Sequence, residues 1–327
     1  MQAKVLGLGN ALVDILVRIP SDELLERLEM PRGSMQLVEA GASSQIYTQI
    51  QNLNPSIVSG GSAANTIYGL ANLGIPTGMI GKIGHDDDLG KSFLADLQLS
   101  GVEPHLLTSD VTTTGNCISL ISPDSERTMA TYLGAAIELS ADEIDVRLFD
   151  NYTHFYVEGY MVQNAELIEK AMKLAHERGL CVCLDLASYN VVEDNVEFLK
   201  RLMLHYVDVV FANEEEATAF SGKEDVEALN EIGEYVDIAV VKLGRRGSVV
   251  KIHDKIERVG IIKANSIDTT GAGDLYAAGF LYALINGLSP KQCAEAGAIL
   301  SGNVIEVMGT KMDTQRWNRI RQDIQKL

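Results

Sequence analysis

Strand-length runs of valine, isoleucine and leucine alternate with helix-length amphipathic segments along this chain. That alternation restricts the fold more than any other feature. "KVLGLGNAL" (4–12) reads as a strand and "AANTIYGLANLG" (63–74) as a helix closed by glycine. "GMIGKIG" (78–84) reads as a strand, and "LGKSFLADLQLSG" as a helix ending at Gly101. A helix "AELIEKAMKLAHERG" ends at Gly179, then come the strand "LCVCLDLA" (180–187) and the helix "NVEFLKRLMLHY" (195–206). "VDVVFAN" and "DIAVVKLG" are further strands, ending at Asn213 and Gly244. Strands this continuously apolar are buried on both faces. The pattern predicts an α/β fold with a mainly parallel sheet covered by helices on both faces.

Two regions break the rhythm. "VDILVRIP" (13–20) and "GSMQLVEA" (33–40) read as short strands, and "TTTGNCISLISPDSERTMATYLGAA" (112–136) as two strands around a Pro-Asp-Ser-Glu turn. No helix separates them, so they predict a small sheet outside the main one, from approximately 12–38 and 112–134. A separate flap of sheet on an α/β core has the place of a lid. The whole chain, 1–327, is expected to be one domain.

A formal net charge of −18 disfavours nucleic acid and anionic membrane surfaces as partners. It leaves room for an anionic small ligand held by backbone N–H groups. No apolar run approaches the ~18–20 residues that span a bilayer, and the N-terminus lacks a signal-peptide pattern. The expectation is a cytoplasmic protein, monomer or homodimer. Cys117, Cys181, Cys183 and Cys293 form no C-x-x-C and read as reduced thiols. "GHDDDLG" (84–90) reads as a loop entering a helix with acids in its first turn rather than as a metal cluster.

Three glycine-rich loops remain. "GLGNAL" (7–12) lacks the third glycine of a dinucleotide fingerprint and runs into strand-like sequence, which argues against an oxidoreductase. "GGSAANTIYGLANLG" (60–74) opens a helix, with Ser62 as a candidate N-cap. Gly60 and Gly61 would let a ligand approach the backbone, and Asn65 reaches forward from the first turn. "DTTGAGDLYAAGF" (268–280) follows the strand-like "RVGIIKANSI" and carries more information. Gly271, Ala272 and Gly273 expose successive N–H groups at the start of an apolar helix, which makes an anion hole. A carboxylate there, Asp274, would repel a phosphoryl group unless it had other work. Accepting a hydroxyl proton during transfer is such work.

With these motifs in this order, the sequence resembles the PfkB (ribokinase-like) carbohydrate and nucleoside kinases over almost its whole length. "GGSAANTIYGLANLG" and "DTTGAGDLYAAGF" look like the two family signatures, "NEEE" (213–216) like the N-x-x-E element and "KLGRRGS" (242–248) like the nucleotide loop. "ILSGNVIEVMGT" resembles the segment beside the adenine. "GNALVDIL", "RGSMQLVEA", "ERTMATYLGAA", "YVEGY" and "FANEEEA" look most like the bacterial adenosine-kinase-like branch.

The resemblance implies a ribokinase-like, Rossmann-type three-layer core with a β lid, ATP over the carboxyl ends of the strands and the acceptor under the lid. It implies Asp274 as the base, with Gly271, Ala272 and Gly273 around the transferring phosphoryl group. It implies Asp14, Gly60, Gly61 and Asn65 at the acceptor hydroxyls, with Asn213, Lys242, Gly244, Gly247 and Asn303 at ATP. Glu216 would organise Mg²⁺ through water, and Asp268 with Thr270 would be a candidate site for K⁺. Arg127 would either swing toward phosphate or face water, and Arg245 and Arg246 would be solvated. The expected reaction is ATP-dependent phosphorylation of a nucleoside, adenosine first, its base against a lid wall that includes Met35, Leu37 and Ile118. The alternatives are a sugar kinase of the ribokinase or fructokinase type, and a catalytically silent nucleotide- or sugar-binding protein.

Overall fold

The computed structural model describes residues 2–124 and 126–327. Ser125, in the expected Pro-Asp-Ser-Glu turn, lies outside the described residues. The strands are β1 (Val5–Leu8), β2 (Leu12–Arg18), β3 (Met35–Leu37), β4 (Ser56–Gly60), β5 (Thr77–Gly84), β6 (Val102–Ser109) and β7 (Thr114–Ile121). They continue with β8 (Arg127–Gly134), β9 (His154–Glu158), β10 (Cys181–Asp185), β11 (Val209–Asn213), β12 (Ile238–Lys242), β13 (Ser248–Ile252) and β14 (Lys255–Val259).

The large sheet has the order β14-β13-β12-β11-β10-β9-β1-β5-β6. From β6 across to β12 every neighbour pair is parallel; β13 and β14 add an antiparallel edge. Parallel strands need crossovers, and the long helices supply them. The helices at 62–72, 272–285, 290–304 and 314–324 pack on one face, and those at 165–177, 189–206, 214–221 and 225–232 on the other. This is the three-layer α/β core that the alternation predicts. Helix 272–285 is apolar nearly all round because it is buried between helices 62–72 and 290–304. The single tryptophan, Trp317, is buried there too; its indole N–H donates to the Tyr68 hydroxyl at 3.2 Å.

The second sheet has the order β3-β8-β7-β2-β4. It takes in β4, beyond the expected 12–38 stretch, and its back is covered by helix 40–50. Its register sets its two faces. Leu37 pairs with Thr131, Thr131 with Cys117 and Cys117 with Asp14, so these four form one row on one face. Ile118 pairs with Ala130 and Ile15, one residue out of that row. With a side-chain period of two it points to the opposite face, into the small sheet's own core. The expectation that Ile118 lines the open face is therefore corrected; Met35 and Leu37 keep that place.

Two more expectations change. The strand expected from "RVGIIKANSI" stops at Val259. Residues 260–267 instead cross the end of helix 290–304, where Ile262 meets Gly302 and the Ile267 N–H donates to the Ile305 carbonyl at 2.7 Å. Ser62 is not a cap, since Gly61 holds that position. As expected, "GHDDDLG" enters a helix, with Asp87 capping it by accepting from the Gly90 N–H at 2.7 Å.

Candidate active site

The carboxyl ends of parallel strands are where ligands meet an open α/β sheet, and here those ends carry polar and charged side chains. β9 ends in Glu158, β10 in Asp185, β11 in Asn213 and β12 in Lys242. Helix 272–285 begins beside them with Ala272, capped by Gly271 at φ +69°. That left-handed backbone suits glycine, and a Cβ on Gly271 would also lie 2.3 Å from the Thr310 Cγ2. The Ala272 N–H turns back to the Thr269 carbonyl at 3.2 Å, whereas the N–H groups of Gly271 and Gly273 find no acceptor among the described residues. They are the free donors of the loop.

Asp274 is buried among other charges. The Ser62 hydroxyl donates to its Oδ1 at 2.8 Å, and the Asn65 amide donates to its Oδ2 at 2.9 Å. Burial pushes its carboxyl up to about 6; the Asn65 bond opposes this, Asp185 reinforces it, and Ser62 and Lys242 oppose it. It remains largely ionised at neutral pH but is a stronger base than a solvated aspartate.

Lys242 crosses over the loop. Its ammonium donates to Asp185 Oδ2 at 2.9 Å and stands 3.1 Å from where a Cβ on Gly273 would be. Burial pulls its pKa down, but Asp185 and Glu216 outweigh that and hold it above the ordinary lysine value. Gly244 and Gly247 make the turn from β12 to β13, at φ +53° and +87°. Arg246 pairs with Glu214 and Asp225 at the surface, more engaged than expected.

Asn213 and Glu216 close a capping box. The Asn213 N–H donates to Glu216 Oε2 at 2.8 Å, its amide donates to Oε1 at 2.6 Å, and its Oδ1 accepts from the Glu216 N–H at 2.8 Å. Glu216 is buried; desolvation raises its pKa, Lys242 opposes and Asp185 adds. Both Glu216 oxygens are engaged by Asn213, and no group of three metal-binding side chains is found among the described residues, so Mg²⁺ would be met here only through its water shell. Asn303 is spent elsewhere: its amide donates to the Ile299 carbonyl at 2.9 Å, and Arg316 donates to its backbone carbonyl at 3.0 Å.

Asp268 and Thr270 do not fit a free cation. Asp268 Oδ1 accepts from the Thr270 N–H at 3.0 Å and from its hydroxyl at 2.7 Å, and Oδ2 accepts from the Gly309 N–H at 2.8 Å. The Arg127 guanidinium, from the small sheet, completes the set. It donates to the Thr270 hydroxyl and lies 3.7 Å from Asp268. Of the two alternatives for Arg127, neither is the resting position; it docks on this loop.

Asp14 lies on the open face of the small sheet. Only 8% of it is exposed, and no donor among the described residues reaches its carboxylate. Burial, then Asp274, pushes it up to about 7, while Arg127 and Lys311 pull it down. Gly60 is required beside it, because a Cβ there would lie 2.3 Å from the Asp14 Cγ. Gly61, at φ +93°, turns the chain from β4 into helix 62–72.

Three site residues escaped sequence reading. Glu158 Oε1 accepts from both the N–H and the amide of Asn10, at 2.9 and 2.8 Å, and Oε2 accepts from the Ala63 N–H at 2.9 Å. Burial pushes Glu158 up to about 7 against those donors. Asp185, holding Lys242, is the third. Glu158 and Asp185 each close an apolar strand, and that position was their signal.

Free N–H groups at a buried helix N-terminus, a carboxylate on its first turn and an acidic face opposite suit phosphoryl transfer to an alcohol. The chain belongs to the pfkB family of carbohydrate kinases, whose profile it matches over residues 38–316. It is similar to an adenosine kinase from Sinorhizobium meliloti, with 33% identity, 99% of this chain and 100% of that one covered, and a TM-score of 0.89. It is similar to a probable sugar kinase from Rhizobium etli, at 32% identity, 98% of both chains and a TM-score of 0.90. Adenosine kinase 2 of Arabidopsis thaliana is 27% identical, over 93% of this chain and 94% of that protein. The fold is ribokinase-like, and the protein is a nucleoside or sugar kinase.

Proposed function

We propose that this kinase transfers the γ-phosphoryl group of ATP to the primary hydroxyl of a nucleoside, with adenosine the first choice. The observation that carries the acceptor reading is the row Leu37–Thr131–Cys117–Asp14 on the small sheet. Three inter-strand steps of ~4.8 Å make a wall ~14 Å long. One end is a largely buried carboxylate that accepts from no protein donor among the described residues and keeps slight water contact, and the other is apolar; Met35 and Leu37 are 38% and 57% exposed. Asp14 accepts bonds from neighbouring ribose hydroxyls, and a flat base covers the apolar end. A free pentose satisfies Asp14 and leaves that end wet. The relatives named adenosine kinase in Sinorhizobium meliloti and Arabidopsis thaliana support this reading. The relative named probable sugar kinase supports the second one, a sugar acceptor.

In the reaction proposed, Asp274 takes the acceptor hydroxyl proton as the new oxygen–phosphorus bond forms and the bond from the γ-phosphorus to the β–γ bridging oxygen breaks, releasing ADP. The N–H groups of Gly271 and Gly273 and the Lys242 ammonium meet the charge on the transferring group, in a site where fixed donors are worth more than in water. Glu216 and Asp185 would hold hydrated Mg²⁺, which neutralises phosphate charge. No step is drawn through a monovalent cation. The small sheet would act as the lid, with 12–60 and 112–134 its approximate extent within a single kinase unit.

The test is kcat/KM for adenosine, 2′-deoxyadenosine, ribose and fructose at fixed Mg·ATP. Adenosine should lead, and the deoxynucleoside should fall by ~10-fold or more, because one bond to a buried carboxylate goes unmade. Ribose or fructose ahead by tenfold would replace the nucleoside with a sugar and leave the kinase standing.

A further inference from the structure

We propose that Ser62 and Asn65 are positioning residues for Asp274, holding its carboxylate in one orientation and in its ionised form. This rests on the reading of Asp274 as the base.

Each carboxylate oxygen of Asp274 receives one donor, the Ser62 hydroxyl on Oδ1 and the Asn65 amide on Oδ2, at 2.8 and 2.9 Å. Two donors on two oxygens fix the plane of the group and leave each oxygen a lone pair for an incoming proton. The amide itself is oriented. The Thr310 hydroxyl donates to Asn65 Oδ1 at 3.0 Å, so the NH₂ end faces Asp274. The Thr66 hydroxyl reaches the Asp274 backbone carbonyl at 3.1 Å. The first turn of helix 62–72 thus grips both the side chain and the main chain of the base. The two helices cannot drift apart cheaply, since Gly69 packs directly under Ala278.

The surroundings explain why such a grip is needed. Asp14 from β2, Glu158 from β9 and Asp185 from β10 all bear on this region, with Tyr156 and Tyr160 near; Lys242 from β12 opposes them at Asp274, and Arg127 and Lys311 do so at Asp14. Burial and the neighbouring acids push Asp274 toward its protonated form, in which it is no base. The Ser62 and Asn65 donors favour the carboxylate. Asn65 was expected at the acceptor hydroxyls. Here its oxygen and one N–H are already committed.

The experiment is the pH profile of kcat/KM, measured for Ser62→Ala, Thr310→Val and Asn65→Asp against the wild-type enzyme. Losing a donor raises the Asp274 pKa, so the acid limb must move to higher pH. Ser62→Ala should move it by ~0.5–1 pH unit, with most of the rate recovered above the limb. Thr310→Val should move it less, in the same direction. Asn65→Asp should move it furthest, because a second carboxylate replaces a donor. If Asn65→Asp does not fold, the first two variants decide. Other acids titrate in the same range, but these substitutions remove donors from Asp274, so the shift is the readout. A rate lowered equally at every pH overturns the proposal and makes the residues structural. A raised acceptor KM with an unmoved limb also overturns it and makes Asn65 a direct ligand. The underlying reading has its own control: an Asp274→Asn enzyme that remains active removes the base itself, whatever the limb does.

Discussion

The two sides of the site treat buried acid differently. On the side proposed for the nucleotide, Glu216 is bound into a capping box by Asn213, and Asp185 holds the Lys242 ammonium at 2.9 Å. On the side proposed for the acceptor, Asp14 accepts from no donor among the described residues, and Arg127 and Lys311 oppose the effect of its burial. The first arrangement is complete as a protein structure and can add a ligand. The second is incomplete without one. A carboxylate that is largely buried and only partly hydrated costs stability, so the side proposed for the acceptor carries a penalty that a polyol would lessen, whereas the other side is satisfied by the fold.

Four expectations press on that contrast. Asp274→Asn, at the junction, should lower kcat by ~10²–10⁴ while both substrates still bind. A variant retaining half of wild-type kcat would leave neither side a base to serve. Asp14→Asn should raise the acceptor KM by ~10–100-fold, the loss of charge-assisted bonds, and leave the KM for ATP unchanged. It should also raise the melting temperature of the ligand-free protein at pH 8, since a bare charge has gone. A variant that melts lower would mean Asp14 has a structural partner after all. Glu216→Gln should raise the Mg²⁺ concentration for half-maximal rate several-fold with the acceptor KM unmoved. Glutamine keeps the reciprocal backbone bonds of the capping box and loses only the Asn213 amide bond, so an unchanged Mg²⁺ titration would leave Glu216 with the cap alone.

The smallest effect is on stability against pH. Asp14 and Glu158 are pushed up to about 7 and Asp274 to about 6, from ordinary values near 3.8 to 4.5. A carboxylate raised in the folded state binds more protons there than in the unfolded chain, so stability falls as pH rises through the window from ~4 to ~7. The ligand-free protein should melt higher at pH 5.5 than at pH 8, and a bound acceptor should narrow the gap by giving Asp14 its donors. A flat or reversed profile would show these acids outweighed by opposing groups such as His105 and His154, whose pKa burial lowers.

Much of this was legible in the chain. The alternation of apolar strands and amphipathic helices gave the parallel core, because parallel strands buried on both faces leave that pattern. The Gly271–Asp274 loop was legible because small residues before an acid at a helix start have few other uses. What stayed hidden depended on register and on single residues. Ile118 was turned to the wrong face by a one-residue offset, which only strand pairing fixes. β4 is five residues long and half exposed, too weak a signal beside "NPSIVSGGS". Glu158 and Asp185 each appear as one acid at the end of an apolar run. The resting place of Arg127 on Thr270, 143 positions away, is a tertiary fact with no local trace.

The placement of Trp317 gives the protein a built-in optical probe. It is the only tryptophan, it is buried, and its indole contacts Tyr68 edge-on, with ring centroids 5.8 Å apart. Tyr68 lies one helical turn beyond Asn65 on the helix that grips Asp274, and the Lys311 ammonium sits 4.0 Å from the centre of its ring on another side. Emission from a selectively excited indole therefore originates beside the helix that joins the small sheet to the base. A titration of acceptor or nucleotide can be followed by colour and intensity, without a label or a coupled assay, and a rapid-mixing trace would time that helix's response separately from turnover.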